Sequence, residues 1–484
     1  MTFRAFRRWL PVAGLLAACA CRASSGVAAD NLTNAVPSAW SLPAAIDYAL
    51  VHNRAIEVRR LGLESRQVGA SAAADMFRWT LRPLGGAEAR DDGRYIDAGL
   101  FATRTTSAGT ELSAGPRYQQ TTLDNAPDVN EGRIVIEARQ PLLRRGGTLV
   151  TTEPLVRATR EVQTARRDFE LQRADIVLRV VELHEELFRL QRRLTNDTAA
   201  AVRMDAFLRL TRTRDRQGRA ARGDTLRAEI ACGTIHQQQA DTAARLVARR
   251  ADLADLLGLP PDIPFDALSG PQFVVSAPAA NDAAVVALSN RLDYAQILQD
   301  IDDARRGVRI ARQTLLPDLE LASRYERQGQ GDTVKDGLSL NHNAWMVGVR
   351  LLSDFPPRAE QRALSQAEIT ERVTRLRADT VQSAIRRQVV QALDVLHRSE
   401  GDLPLATTTL AAARQRLELM RRLYSSARAT TFDVSDAETQ WRDADERWLA
   451  ASSSVTVAAY RLLWTLGTLT DVPNSLKAGS EPTT

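Results

Sequence analysis

The chain has 484 residues, with 25% charged residues, 5% aromatic residues and a formal net charge of +5. Glycine and proline are sparse beside abundant alanine, leucine and arginine, a balance typical of long helices. The positive charge is spread along helical segments, and no zinc-finger spacing or aromatic RNA-binding motif accompanies it. Nothing in the composition therefore supports nucleic-acid binding.

The N-terminus has the layout of a secretory signal peptide. Three arginines precede an apolar run that is too short to span a bilayer. Two processing sites compete: a lipobox-like sequence that ends at Cys19, and a run of small residues before Asp30. We favour the first, in which Cys19 is lipidated. The prediction is a signal peptide over 1–18, which the favoured lipobox makes a lipoprotein signal, and an extended segment over 19–40.

Helical and alternating patterns follow one another in the first half of the chain. Ser41 begins a predicted helix that runs to about Phe77. Residues 133–139 alternate apolar and charged side chains, the signature of a strand, and residues 110–118 alternate more weakly. The loop-like segment over 85–130 leaves the number of extra strands open.

The longest predicted helix begins at Pro154 and reaches about Gln217. Apolar residues repeat every seven positions along it, which indicates a coiled-coil seam. At about 1.5 Å per residue the helix would be roughly 95 Å long. A turn at 218–223 and a returning helix to Leu257 complete a helical hairpin, and the proline-rich segment 259–281 is the predicted linker.

The second half repeats this order. A helix from about Asp282 to Leu316 precedes strands over 319–325 and 345–351, and a long helix, which Gly401 and Pro404 should break or kink, begins the second hairpin. The two halves align at one fixed offset of about 209 residues. The alignment sets Asp224 against Asp433, Ala228-Glu229 against Ala437-Glu438, and Gly258 against Gly467. The chain is therefore predicted as two tandem repeats, 41–258 and 282–467, with a polar tail over 468–484.

About four strands for each chain cannot close a barrel, which needs about eight. Their polar and apolar alternation suits a wall between lipid and water, and open strand edges are not tolerated in lipid. The predicted fold is mainly α, with long coiled-coil hairpins and a transmembrane β-barrel portion that several chains share.

Four short segments resemble the TolC-like outer-membrane efflux protein family. They are Ser41 to Asn53 in the opening helix, Gln140 to Gly147 at a strand-to-helix junction, Asn290 to Asp293 at the start of the second repeat, and Leu315 to Leu319 at a helix-to-strand junction. In order and spacing, the resemblance covers nearly the whole mature chain. It implies a homotrimer with a twelve-stranded barrel in the outer membrane of a Gram-negative bacterium and a helical tunnel in the periplasm. It also implies docking to a periplasmic adaptor protein and an inner-membrane pump.

The hairpin turns hold the candidate site. By resemblance, the periplasmic tip or gate residues are Gly218, Arg219, Arg222, Asp224, Arg428 and Asp433. The two aspartates are also predicted as helix N-caps. The arginines would form basic rings that favour anions, or would face outward and pair with neighbouring acids, the alternative that we favour.

No motif for catalysis, metal or cofactor binding is present. The five histidines have no ligand spacing, and Cys232 is predicted to serve packing. The function predicted is a channel component of a tripartite efflux or export system, with no enzymatic activity. The alternatives are a periplasmic coiled-coil adaptor, which would lack two sets of barrel-like strands, and a self-contained exported enzyme, which would show a pocket motif.

Overall fold

The computed structural model describes residues 38–91, 93–123, 127–218, 221–268, 279–426 and 428–469. The helices are α1 (Leu42–His52), α2 (Arg54–Asp75), α3 (Thr148–Thr151), α4 (Glu153–Arg216), α5 (Arg222–Leu257), α6 (Ala280–Asn290), α7 (Leu292–Thr314), α8 (Val334–Gly337), α9 (Arg358–Ser425) and α10 (Thr431–Leu466). The strands are β1 (Ala39–Trp40), β2 (Thr80–Arg90), β3 (Gly93–Thr105), β4 (Glu111–Leu123), β5 (Val129–Pro141), β6 (Asp266–Ala267), β7 (Asp318–Gly331) and β8 (His342–Leu352).

The predicted opening helix is two helices, α1 and α2, separated at Asn53. The Asn53 side chain accepts hydrogen bonds from the backbone N–H groups of Ala55 and Ile56, and it donates to the carbonyl of Leu256 at 2.8 Å. An asparagine that caps a new helix and binds a distant carbonyl therefore interrupts the first helix. The second repeat has the same division, with Arg291 between α6 and α7.

Two long helical hairpins dominate the helical part. The predicted long helix is confirmed as α4, which has 64 residues, and α5 returns beside it. The second hairpin pairs α9, which has 68 residues, with α10. The helix α9 continues through Gly401 and Pro404, so the predicted break is wrong, and the alternative of a kink there stays a prediction. Both hairpins end at a left-handed glycine, Gly258 at φ 74° and Gly467 at φ 73°, a conformation that favours residues without a Cβ.

The main apolar core lies where the two repeats meet. Residues of α1, α4, α6, α9 and α10 pack there, among them Leu42, Val181, Ala283, Val389 and Leu462. A second apolar cluster lies between α4 and α5 and includes Met204 and Ile235. None of the helices in the described part of the chain is long and apolar enough to cross a membrane.

Six strands form one antiparallel sheet in the order β2-β3-β4-β5-β7-β8. The predicted strands at 133–139, 319–325 and 345–351 are confirmed within β5, β7 and β8. The predicted total of about four strands is wrong. The segment after α2 forms β2, β3 and β4, so the first repeat contributes four strands to this sheet and the second contributes two.

A short parallel sheet joins the lead-in to the linker. Trp40 of β1 lies opposite Ala267 of β6, and the Trp40 carbonyl lies 3.0 Å from Nε2 of the buried His184 in α4. Burial lowers the pKa of His184, although the bond to the Trp40 carbonyl acts in the opposite direction. His184 is therefore held as a neutral imidazole.

Candidate functional site

The first hairpin turn begins at Gly218, just after α4. This residue has φ +69°, in the left-handed region, and its N–H donates to the carbonyl of Asp215 at 2.9 Å. The glycine therefore ends α4 where a residue with a Cβ would be strained. Arg219, a predicted tip residue, lies outside the described residues.

The first turn also corrects the prediction for Asp224. The N-cap of α5 is Ala221, which makes no side-chain cap bond, and Asp224 lies inside the first helical turn. Its carboxylate pairs with Arg227 at 3.5 Å, and Arg222 pairs with Asp215 at 3.5 Å. The N-cap prediction fails because the N-cap, Ala221, lies three residues before the position that the sequence indicated.

The second turn carries a capping box that the sequence analysis assigned to the wrong residue. Thr430 is the N-cap of α10, and its hydroxyl accepts from the N–H of Asp433 at 3.3 Å. The Asp433 carboxylate in turn accepts from the N–H of Thr430 at 2.7 Å, and this bond holds the pKa of Asp433 below its usual value. Arg428 is exposed, and its N–H donates to the carbonyl of Leu423 at 2.8 Å.

Several turn arginines have partners within the chain. The Arg214 guanidinium lies over the Tyr424 ring, 4.5 Å from its centroid, and Arg421 pairs with Glu438 at 2.6 Å. Tyr424 is buried and packs on Phe207 of α4, with ring centroids 5.1 Å apart. The two contacts of Tyr424 connect α4 of the first hairpin to α9 of the second, close to both turns.

The buried carboxylate of Glu438 is the centre of an ionic cluster that the sequence analysis did not assign. Glu438 lies on α10 and binds Arg203 of α4 and Arg421 of α9, each at 2.6 Å. The equivalent pair in the first hairpin, Arg212 and Glu229, is 2.9 Å apart. Arg212 and Arg421 are one repeat offset apart, and so are Glu229 and Glu438. The offset in the sequence could therefore have predicted this contact.

A second buried carboxylate, Asp197, connects α4, α5 and α10. It binds Arg442 of α10 at 2.8 Å and accepts from the Thr242 hydroxyl of α5 at 2.9 Å. Arg442 also donates to Gln238 of α5 at 2.6 Å. Together with the Glu438 cluster, these contacts hold the two hairpins to each other at two levels near their turns.

Cys232 makes a hydrogen-bonded group with Asp205 and His236. The Cys232 thiol lies 3.1 Å from Asp205 Oδ1, and His236 Nε2 lies 3.2 Å from the same atom. The three possible ligand atoms lie within 4.8 Å of one another, but hydrogen bonds already satisfy the carboxylate oxygen. Burial, followed by the bond to Asp205, raises the pKa of Cys232 to about 11, so the thiol stays protonated at neutral pH.

The large sheet has one apolar and one charged face. In register, Ile136 lies opposite Tyr325, and Tyr325 lies opposite Trp345. By alternation, the same face carries Leu81, Ile96, Leu100, Leu112, Ile134, Leu321, Val347, Val349 and Leu351. Ile136, Trp345 and Val347 thus share this face, and Trp345 is 78% exposed.

Ion pairs occupy the opposite face of the same strands. Arg117 of β4 binds Asp97 of β3 at 2.8 Å, and Arg139 binds Glu137 within β5 at 2.6 Å. Pairs at 3.3 Å and 2.8 Å continue the row at Arg133–Glu131 and Arg324–Glu326. A sheet that exposes apolar side chains on one face and ion pairs on the other is suited to separate lipid from water.

The outer membrane efflux protein family matches residues 284–468. This match confirms, over those residues, the resemblance to TolC-like outer-membrane efflux proteins. No curated protein sequence matches this chain significantly.

Solved structures of outer-membrane proteins share the fold of this chain. The outer membrane protein VceC from Vibrio cholerae is 15% identical, with a TM-score of 0.68 over 88% of this chain and 96% of VceC. The CmeC outer membrane channel of Campylobacter jejuni is 12% identical, with a TM-score of 0.69 over 88% of this chain and 86% of CmeC. The open state of the MtrE outer membrane channel of Neisseria gonorrhoeae is 15% identical, with a TM-score of 0.68 over 88% of each chain.

Proposed function

We propose that this chain is the outer-membrane channel component of a tripartite efflux system, in which three copies share one β-barrel. The two-faced sheet carries the proposal. Its strands have eleven to fourteen residues, and about nine to eleven tilted residues suffice to span a bilayer. Lipid would cover the apolar face, and the ion pairs would face a water-filled channel.

The proposal that several copies share one barrel follows from the number of strands. Six strands are fewer than the eight or so that a small barrel requires, and an open edge in lipid leaves backbone groups without partners. The simplest source of hydrogen-bond partners for these backbone groups is the edge strand of another copy of the chain. The channels with this fold and the matched family support this function over that of a coiled-coil adaptor, which has no use for a membrane-spanning sheet.

The helical hairpins would form the periplasmic tunnel and would meet an adaptor protein and an inner-membrane pump at their turns. We propose the turns as the gate, where Arg222 and Arg428 would either contribute to a basic mouth that prefers anions or lie on the outer surface. The pairing of Arg222 with Asp215 weakens this charge and favours the alternative, in which the arginines are paired surface residues. Replacing both arginines with alanine separates the two. A basic mouth predicts a shifted reversal potential in a salt gradient, whereas surface arginines predict no change.

The N-terminus would add a lipid anchor. We propose that Cys19, which lies outside the described residues, is acylated and becomes the first residue of the mature chain. Intact-mass measurement of the purified protein tests this directly. A mature chain that begins at Asp30 without lipid would contradict it.

Membrane fractionation tests the proposed function. The protein is expected in the outer-membrane fraction of a density gradient, and it should remain there after washing with alkaline carbonate. An adaptor or an exported enzyme held only by protein contacts would leave the membrane, or would follow the inner membrane. Recovery as a folded, water-soluble protein without detergent would contradict the channel.

A further inference from the structure

The outer strands of the large sheet, β2 and β8, each leave one edge without a strand partner in the described chain. Both strands have eleven residues. Strand direction alternates across the six strands, so β8 runs opposite to β2. A β8 edge placed beside the β2 edge of another copy would therefore make one more antiparallel pair.

Resting on the proposed membrane channel, we propose that β2 of one copy pairs along its full length with β8 of a second copy. Six strands from each of three copies then close a barrel of eighteen strands. The number is even, so the antiparallel order is kept around the whole wall. The partner of each edge is a second copy of this chain.

Full-length pairing fixes the register, with Thr80 opposite Leu352 and Arg90 opposite His342. This register keeps the two faces of the sheet continuous, because Leu81 then lies opposite Leu351 on the apolar face. On the charged face it sets Arg82 beside Arg350. Glu320 lies opposite Arg350 on its other side, in β7, and offsets that charge.

The same register gives a reasonable strand tilt. A row across the sheet from Thr80 passes through Thr103, Ser113, Glu137 and Arg324 and reaches Met346. In the proposed register the next copy's Thr80 lies opposite Leu352, which is six residues along β8 from Met346. Each copy therefore shifts the row by about six residues along the strands, and three copies shift it by about eighteen around the barrel. With about 3.4 Å per residue and about 4.8 Å between strands, the tilt is about 35°. Membrane barrels tilt by about 35–45°.

The extra strands are part of the wall and do not form a separate appendage. Asn53 and Gly258 enclose the strands of the first repeat, and Arg291 and Gly467 those of the second. The first pair lies 205 residues apart and the second 176, a difference close to the length of one added hairpin. β3 pairs with β2 and β4 over nearly its whole length.

Prolines do not mark β2 as an outer strand. Pro83 lacks an N–H and removes one bond from one of the two ladders that β2 can form. Pro116 lies inside β4, which pairs with β3 and with β5, although its register with β3 is interrupted at Gly115 and Pro116. A strand of this sheet therefore keeps both partner strands around a proline that interrupts one of its two ladders.

Disulfide cross-linking between copies tests the register. In a background with Cys21→Ser and Cys232→Ser, Thr80→Cys is combined with Leu352→Cys, and two control pairs combine Leu352→Cys with Leu84→Cys or with Glu111→Cys. All four positions lie on the charged face, and opposite residues approach closely enough for a disulfide. The 80/352 pair should give dimers and trimers on oxidation, at a yield at least about tenfold above either control pair.

Each alternative outcome has its own meaning. Efficient linkage by the 84/352 pair would overturn the register. Linkage by the 111/352 pair would exclude β2 and β3 from the wall and overturn the eighteen strands, while leaving a shared barrel intact. A trimer that links through none of the pairs would also overturn the inference. A monomer in detergent would instead contradict the proposed function itself.

Discussion

The ionic cluster at Glu438 should control the local stability of the hairpin ends. Replacing Glu438 with glutamine keeps the size of the side chain but removes the negative charge between Arg203 and Arg421. The carboxylate side chain is 5% exposed, whereas the two arginines are 32% and 39% exposed. The substitution therefore leaves two partly solvated cations facing each other without a counter-ion.

The size of the effect follows from this partial burial. Removing one partner of a fully buried ion pair costs about 3–5 kcal/mol. Because both arginines are about one-third exposed, solvent screens part of the loss, and we expect about 2 kcal/mol for local opening. That free energy corresponds to an increase of about thirtyfold in the opening equilibrium.

Hydrogen exchange of the purified protein in detergent measures this opening. Glu438→Gln should exchange about thirtyfold faster near residues 203, 421 and 438. The matched control is Glu418→Gln on α9, whose pair with Arg414 at 3.6 Å is exposed on both sides and should change exchange by less than about twofold. Unchanged protection in Glu438→Gln would show that the cluster does not hold the hairpins together.

Three further predictions concern other parts of the helical region. Burial lowers the pKa of His184 in the folded protein, so below about pH 6.5 the unfolded state binds more protons than the folded state. The wild-type protein should therefore lose thermal stability between pH 7 and pH 5, and His184→Gln should lose less. Asp205→Asn removes a charge that raises the pKa of Cys232, so iodoacetamide should alkylate Cys232 faster at pH 8. Gly258→Ala should lower the melting temperature through a cost of at least about 2 kcal/mol, because a Cβ would meet the His52 carbonyl at 2.6 Å and φ is +74°.

Each of these predictions has a control. His397→Gln changes an exposed histidine and should keep the wild-type pH dependence, and equal loss in His184→Gln would contradict the first prediction. Equal alkylation rates in wild type and Asp205→Asn would contradict the second. Gly218→Ala shares the positive φ but meets nothing within 4 Å, so it should cost less than Gly258→Ala; equal costs would exclude the clash with His52.

The sequence predicted the long elements because their patterns are local. Heptads over about sixty residues identify α4, and strict alternation identifies β5, β7 and β8. The number of extra strands stayed open because Pro83, Gly85 and Gly86 interrupt the pattern of β2, and its pairing with β3 supplies the order that local preference does not. The division at Asn53 was missed for a related reason, since its bond to Leu256 joins positions 203 residues apart.

The candidate site was predicted in place but not in detail. Both turns lie at the positions that the repeat offset predicted. Asp224 and Asp433 are nevertheless not N-caps, because an N-cap depends on backbone angles that a single residue type does not determine. The Glu438 cluster needs side chains from three helices, and only the pair with Arg421 had a repeated counterpart in the sequence. Predicting contacts between the two hairpins requires knowing how the whole helical region packs.

Native mass spectrometry of the detergent-purified protein tests the shared barrel most directly. The measured mass should be three times that of the denatured mature chain, and the trimer should persist when detergent replaces the membrane lipids. A folded protein with the mass of one chain would contradict it, since its six strands leave both edges of the sheet open.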